Sequence, residues 1–579
     1  MLAPKYYLYM ATGPGLAPKI ELSSNPRVDA TWLEQSGYQD MTVYYPPQPL
    51  WIAETVLQEL KKHRVLQILR FFKIIKVVIQ ERNGFCYGQL QTHQIADFKM
   101  PLPDLTELEM AFRGRCLLGS ELPEVIREAG YAVPWNPEDW MQQLYLEGRL
   151  HRLAAVGYDQ FLGVPECRRC GATDGIYEVS CLFCGDPHCL TCTHCQSMGL
   201  AKSCVPLYYY PYPQNLPQAE AIQPVLEFEL TPPQQRASQA LLRFLESGKR
   251  RFLVWAVCGG GKTEVCFSAV ARVLAGGGRV MVAIPRKDVV TELQPRFVKA
   301  FPTVPCHALF GGAPERWSNA RLVLATTHQC LRFYQSFDLI VLDEADAFPY
   351  QGSPILPYAV ERALKPTGQL VVMTATPDRG LISQALNGKL PYVSIPARYH
   401  RQPLILPRIY KQKFQPFHSP PWEVPTAIQQ QLLEAHSRQR KVLVFLPTIR
   451  LIETVGHEII QWGMTQGLSG SLTHAKCNNS SMVKELLKRG QLDFVITSTV
   501  AERGITIPDL DVAVLFADNE LVFDCRTLVQ ISGRTGRKGE AAAVVFYATR
   551  ISRAMQECCR WIEQMNSEAR KLGYLDSVD

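Results

Sequence analysis

No stretch of 18 consecutive apolar residues occurs in this chain of 579, so no membrane-spanning helix is expected. The first 25 residues lack a basic stretch followed by an apolar core, and no export signal is expected. No short-period repeat recurs, which excludes a solenoid or propeller array. The excess of one charge sign is small: the net +7 permits a polyanionic partner without demanding one. Apolar residues make up 47%, as in soluble globular proteins. The chain is too long for one hydrophobic core, and three to four domains of ~150 residues are the prior.

Cysteine, by contrast, is abundant. Eight of the 18 lie between Cys167 and Cys204. Without an export signal, such density reads as metal binding rather than disulfides. Cys167-Arg-Arg-Cys170-Gly and Cys181-Leu-Phe-Cys184-Gly are zinc-knuckle sequences, followed by Cys189, Cys192, Cys195 and Cys204. Eight thiolates suffice for two closed tetrahedral Zn²⁺ sites. Two pairings are open: sequential sites, the first four cysteines in one and the last four in the other, or nested sites in which Cys167 and Cys170 join Cys192 and Cys195. The Cys-x-x-Cys-x-x-Cys run also resembles iron–sulfur ligation, but the knuckle glycines favour zinc. His188 and His194 are substitute ligands, ranked below the cysteines. A closed four-sulfur site has no open coordination position, so its role is structural or DNA-positioning.

The chain divides by rhythm. Residues 1–160 read as an α+β region: Lys5–Met10 as a strand, 105–156 as helical with breaks at Pro134 and Pro137. The stretch 61–82 is apolar with interleaved Arg70, Lys73 and Lys76, and its Asn83-Gly84 stop is a hairpin signal. It reads as a buried strand or helix with solvated lysines; a membrane-surface or DNA-gripping role is the alternative. Residues 161–206 form the cysteine module, and 207–226, rich in proline and tyrosine, read as an extended linker. From 227 the pattern changes to continuous apolar runs alternating with helical stretches. The runs are Phe252–Ala256, Val280–Ile284, Leu322–Ala325, Leu339–Leu342 and Leu370–Met373, then Val442–Phe445, Phe494–Ile496, Val512–Leu515 and Ala543–Phe546. Unbroken hydrophobicity suits strands buried on both faces of a parallel sheet. Two α/β domains are therefore expected, 227–400 and 401–579.

Three motifs carry chemistry. Ala256-Val-Cys-Gly-Gly-Gly-Lys-Thr263 follows an apolar strand and precedes a helix expected over Glu264–Leu274. Gly259, Gly260 and Gly261 let backbone N–H groups converge on ATP phosphates, Lys262 reaches the β/γ-phosphates and Thr263 ligates Mg²⁺. Asp343 follows the run Leu339–Leu342 and is placed to hold Mg²⁺; Glu344 is placed to polarise the attacking water. Gln530, Arg534 and Arg537 recur at helical spacing, and the two arginines are placed to meet the transition-state charge from the other domain. Each alone reads as an ordinary turn or basic patch. Together and in this order they describe an ATP site shared between two domains.

The set resembles the superfamily 2 helicases. That resemblance implies two tandem RecA-like parallel-sheet domains and assigns further residues. Gln234 falls in the adenine-reading motif. Pro285, Arg286, Thr326, Thr327, Thr448 and Thr497 fall where the family contacts the nucleic-acid strand, and Thr374, Thr376, Arg503 and Gly504 where it couples strand to ATP. More narrowly, the cysteine run ending Cys195-Gln-Ser-Met-Gly199, Ala397-Arg-Tyr-His400 and Asp343-Glu-Ala-Asp-Ala-Phe-Pro-Tyr350 are similar to the late competence ATPases of the ComFA family. This implies a cytoplasmic motor, peripheral on the inner face of the membrane, that uses ATP to draw single-stranded DNA into the cell. It also implies zinc, a phosphoribosyltransferase-like partner and the DNA-uptake channel. The primosomal replication-restart helicases are the runner-up; they embed their zinc module within the motor, whereas here the cysteines precede it. A DNA-binding module merely gated by ATP is a third reading, opposed by Glu344, Arg534 and Arg537.

Overall fold

The computed structural model describes residues 5–63, 68–83, 88–133, 136–159, 162–213, 221–415, 422–474, 476–477, 480–498, 507–536 and 542–575. Two parallel sheets dominate. The first has seven strands in the order Cys306–Leu309, Leu322–Thr326, Val280–Ile284, Phe337–Leu342, Leu364–Thr374, Arg251–Ala256 and Tyr392–Ile395. The second has six: Arg408–Lys411, Val544–Ala548, Leu510–Leu515, Lys441–Phe445, Phe494–Thr497 and Gly470–Thr473.

Alternate residues of one strand enter different cores, which is why the runs are unbroken. Phe252, Val254 and Val282 pack beneath the helices Pro232–Glu246, Phe267–Ala275 and Lys287–Ala300. Leu253, Trp255, Met281 and Ala283 face the other way, into a core shared with Leu118, Cys167, Cys170, Cys192 and Cys195. Helix Ile355–Ala363 packs into that same core, and the cysteine module lies against it: Arg362 donates to the carbonyls of Arg168 and Arg169.

Upstream, an antiparallel sheet of four strands, Lys19–Ser23, Lys5–Thr12, Asp40–Pro49 and Gln89–Gln94, carries the helices Pro26–Gln35, Leu50–Lys62 and Ile68–Asn83. Ile68–Asn83 is therefore helical, and Asn83-Gly84 does not close a strand hairpin; Gly84 lies outside the described residues. Phe71, Ile75 and Ile79 form its buried stripe at helical spacing. The region expected to be helical, 105–156, contains two strands, Arg115–Leu118 and His151–Ala154. Between them lies Pro206–Tyr210, every residue buried. The supposed linker thus begins as the central strand of a sheet, with proline tolerated at its first position.

Buried arginines weld this upstream block to the first α/β domain. Glu121 accepts from Arg169 at 3.0 Å and from Arg332 at 3.1 Å, and Arg115 donates to the carbonyls of Trp317 and Ser318 at 2.6 Å each. Among the described residues no helix is long and apolar enough to cross a membrane.

Candidate nucleotide site and cysteine clusters

Strand Arg251–Ala256 ends in a turn that only glycine fits well. Gly259 and Gly261 have φ of +80° and +70°. A Cβ at Gly261 would sit 2.1 Å from Gln234 Nε2. Gln234 donates to Gly260 O at 3.0 Å and accepts from Thr231 N at 2.9 Å, so its amide braces the phosphate loop. The helix expected over 264–274 is two pieces, Lys262–Val265 and Phe267–Ala275, divided at Cys266.

The loop opens on a cleft of about 620 Å³ lined by Gln234, Lys262, Thr263, Asp343, Glu344, Gln530 and Arg534. Lys262 Nζ stands 3.6 Å from Asp343 Oδ1. Burial acts against the Lys262 ammonium, but Asp343, Asp346 and Glu344 outweigh it and raise its pKa. Burial raises the Asp343 carboxyl, with Lys262 opposing. The Asp343 carboxylate accepts from Glu344 N at 2.8 Å, and Glu344 holds a left-handed φ of +52°, uncommon for a residue with a side chain. The donors fit the implied groups. The glycine turn and Lys262 suit phosphates, and the Thr263 hydroxyl with the Asp343 carboxylate offers the hard oxygens that Mg²⁺ takes. A bound Mg²⁺ supplies charge neutralisation at the β- and γ-phosphates.

The second domain closes the cleft. Helix Cys525–Ser532 is capped by Asp524, which accepts from Thr527 N at 2.8 Å. Gln530 Nε2 donates to Asp346 Oδ2 at 3.0 Å, and Cys258 Sγ donates to Gln530 Oε1 at 3.2 Å. Arg534, buried, lies past the end of that helix, so Gln530 and Arg534 do not share the one helical face expected of them. Arg537, Arg503 and Gly504 lie outside the described residues.

Asp346 is the residue that motif reading passed over. Thr374 Oγ1 donates to its Oδ1 at 2.7 Å and Thr376 Oγ1 to its Oδ2 at 2.9 Å, beside the Gln530 bond. One carboxylate therefore joins the end of strand Phe337–Leu342, the end of strand Leu364–Thr374 and the second domain. The signal was its place as the last residue of Asp343-Glu-Ala-Asp346.

The residues expected at the nucleic-acid strand all lie at or just past C-terminal strand ends, but not all face outward. Thr326, Thr327 and Thr497 are buried. Pro285 is buried and Arg286 half-buried ahead of helix Lys287–Ala300. Thr448 is exposed, and its hydroxyl caps Ile449–Glu453 by accepting from Leu451 N at 3.2 Å. The hydroxyls of Thr327 and Thr497 are thus turned into the fold rather than toward a strand.

Space decides the cysteine pairing. Cys167, Cys170, Cys192 and Cys195 form one cluster and Cys181, Cys184, Cys189 and Cys204 the other, so the sequential pairing is excluded. Sulfur separations are 3.8 Å for Cys167–Cys195, 3.7 Å for Cys170–Cys192, 3.9 Å for Cys181–Cys204 and 3.7 Å for Cys189–Cys204. A tetrahedron with Zn–S bonds of ~2.3 Å has edges of about 3.8 Å, so both clusters fit zinc. His188 and His194 instead pair with Glu178 and Asp174, at 3.0 and 3.1 Å.

Two parallel sheets with a phosphate loop on one and Arg534 brought from the other define an ATP-hydrolysing enzyme of the helicase type. The comparisons agree. Residues 227–379 match the family described as Type III restriction enzyme, res subunit, and 424–539 the helicase conserved C-terminal domain. Residues 103–209 match the competence protein ComFA N-terminal domain. Competence protein ComFA of Bacillus subtilis (strain 168) is 36% identical over 420 residues, 71% of this chain and 87% of that protein. Its counterpart in Streptococcus pneumoniae (strain ATCC BAA-255 / R6) is 34% identical over 447 residues, 74% of this chain and 98% of that protein. Replication restart protein PriA of Rickettsia conorii (strain Malish 7) is 26% identical over 188 residues, 28% of each chain. The chain belongs to the ComFA family of competence proteins.

Proposed function

We propose that this chain is an ATP-driven motor on single-stranded DNA that helps draw DNA into the cell during competence. The observation that supports this is the Asp346 carboxylate, bonded at once to Thr374, Thr376 and Gln530. A change at the cleft that releases Gln530 alters the hold on Thr374–Thr376, beside the strand ends where the family binds nucleic acid. Lys262 binds the phosphates, Glu344 polarises the attacking water, and Arg534 meets the charge that develops in transfer, with Arg537 beside it in the motif. Arg286 and Thr448 line the path of the sugar–phosphate backbone, gripped without reading sequence, with the buried Pro285 and Thr326 shaping the loops behind them. Arg503 and Gly504 relay domain closure.

Each cysteine cluster binds one zinc ion and is structural. The partners are other late competence proteins, among them a phosphoribosyltransferase-like protein and the DNA-uptake channel, with the motor cytoplasmic at the inner face of the membrane. ATP turnover should rise several-fold when single-stranded DNA is added; equal turnover with and without DNA would sink the motor reading. A partial-duplex assay then separates strand displacement from translocation alone.

A further inference from the structure

Arg398 lies on the connection between the last strand of the first domain, Tyr392–Ile395, and the first strand of the second, Arg408–Lys411. It is 3% exposed. Its Nη1 donates to Thr535 O at 2.5 Å and to Gly536 O at 2.9 Å, and its Nη2 to Gly533 O at 3.4 Å. Its Nε donates to Cys258 O at 3.2 Å. The first three carbonyls follow helix Cys525–Ser532, where backbone oxygens lack helical donors and carry partial negative charge. The fourth belongs to the phosphate loop. Arg534 is carried between Gly533 and Thr535, so one planar guanidinium sets how far the backbone of Arg534 stands from that loop. Lysine has the charge but not the fork that spans these acceptors.

We propose that Arg398 is the positioning residue for Arg534, a latch that holds the second domain's arginine against the phosphate loop for hydrolysis. This rests on the ATPase reading above. Arg398 does not line the nucleotide cleft, although its neighbour Tyr399 does. It therefore acts on turnover through Arg534 and leaves nucleotide binding alone.

The test is a double-mutant cycle on the full chain, read by steady-state ATPase and by binding of a fluorescent ATP analogue with Mg²⁺. Arg398→Lys and Arg398→Gln should each lower kcat by about 10²-fold, the cost of a small misplacement, with the analogue's Kd within about twofold of wild type. Arg534→Ala alone should lower kcat about 10³-fold. Adding Arg398→Gln to it should cost no more than about a further twofold, because the latch acts only through Arg534. Wild-type kcat in the Arg398 variants overturns the inference. So does a double variant whose loss is the product of the two single losses. Loss of analogue affinity together with kcat, as misfolding would give, overturns it too. If Arg534→Ala is fully active, the shared-site reading itself fails and the latch falls with it.

Discussion

A methyl group on Gly533 would lie 2.4 Å from Cys258 Cβ, because the phosphate loop and the end of helix Cys525–Ser532 meet there without a gap. Gly533→Ala should therefore push the two domains apart. Overpacking of this kind costs ~1–3 kcal/mol, and kcat should fall roughly 10-fold or more. Cys258→Gly in the same chain removes the opposing Cβ and should recover most of the loss in a steady-state assay; no recovery would refute the contact as the cause. Lys262→Ala should cut turnover by at least ~10²-fold while single-stranded DNA still binds in a fluorescence-anisotropy titration. Loss of both together would argue against separate sites. At this scale the sequence was most readable where motif residues gather at strand ends around one loop. Lys262, Thr263, Asp343 and Glu344 line one cleft, as their motifs implied. Asp346 and Gln530 stand 184 positions apart, and only folding shows that they touch. Arg398 was visible as part of Ala397-Arg-Tyr-His400, but its partners are backbone carbonyls, which leave no mark in sequence.

Among the elements, the inner parallel strands were legible because each is buried on both faces and so shows an unbroken apolar run; the edge strands Cys306–Leu309, Tyr392–Ile395, Arg408–Lys411 and Gly470–Thr473, more exposed, were not read. Pro206–Tyr210 was not, because a proline and three tyrosines look like a linker until Tyr208 and Tyr210 find the core beside Leu117 and Leu122. Ile68–Asn83 was obscured by the Asn-Gly that follows it, a strong local turn signal that says nothing about what precedes the turn. Cysteine spacing admitted both pairings, and elemental analysis of cysteine pairs tests the nested one. Cys167→Ser with Cys195→Ser should cost one zinc of two, whereas Cys167→Ser with Cys181→Ser should cost both. Sequential pairing predicts the reverse, and iron in place of zinc would refute the metal assignment.

At the scale of the whole molecule, the upstream sheet is held by buried ionisable groups. Burial lifts Glu138 to about 7 against the pull of Arg152, and burial likewise lifts Asp29 to about 7. Tyr6 donates to Glu138 at 3.4 Å and Gln142 to Asp29 at 3.0 Å. An acid whose folded pKa is raised binds its proton more tightly in the folded state, so its contribution is complete at acid pH and is lost as pH rises through about 7. Melting temperature of the upstream block should therefore fall between about pH 5 and pH 8, and Glu138→Gln should flatten that slope in thermal melts. An unchanged slope would show that Glu138 keeps its charge when folded. The cysteine module ties this periphery to the motor: Arg168 donates to Glu54 at 2.9 Å on one side, and Arg362 donates to the carbonyls of Arg168 and Arg169 on the other. Loss of metal from the module would loosen the core in which Ala172, Leu190 and Ala201 lie among the cysteines, and apolar surface laid open in this way makes chains stick to one another. A chelator should thus silence ATP turnover by precipitation although no cysteine ligand touches the nucleotide, leaving the engine's solubility hostage to the cell's supply of metal.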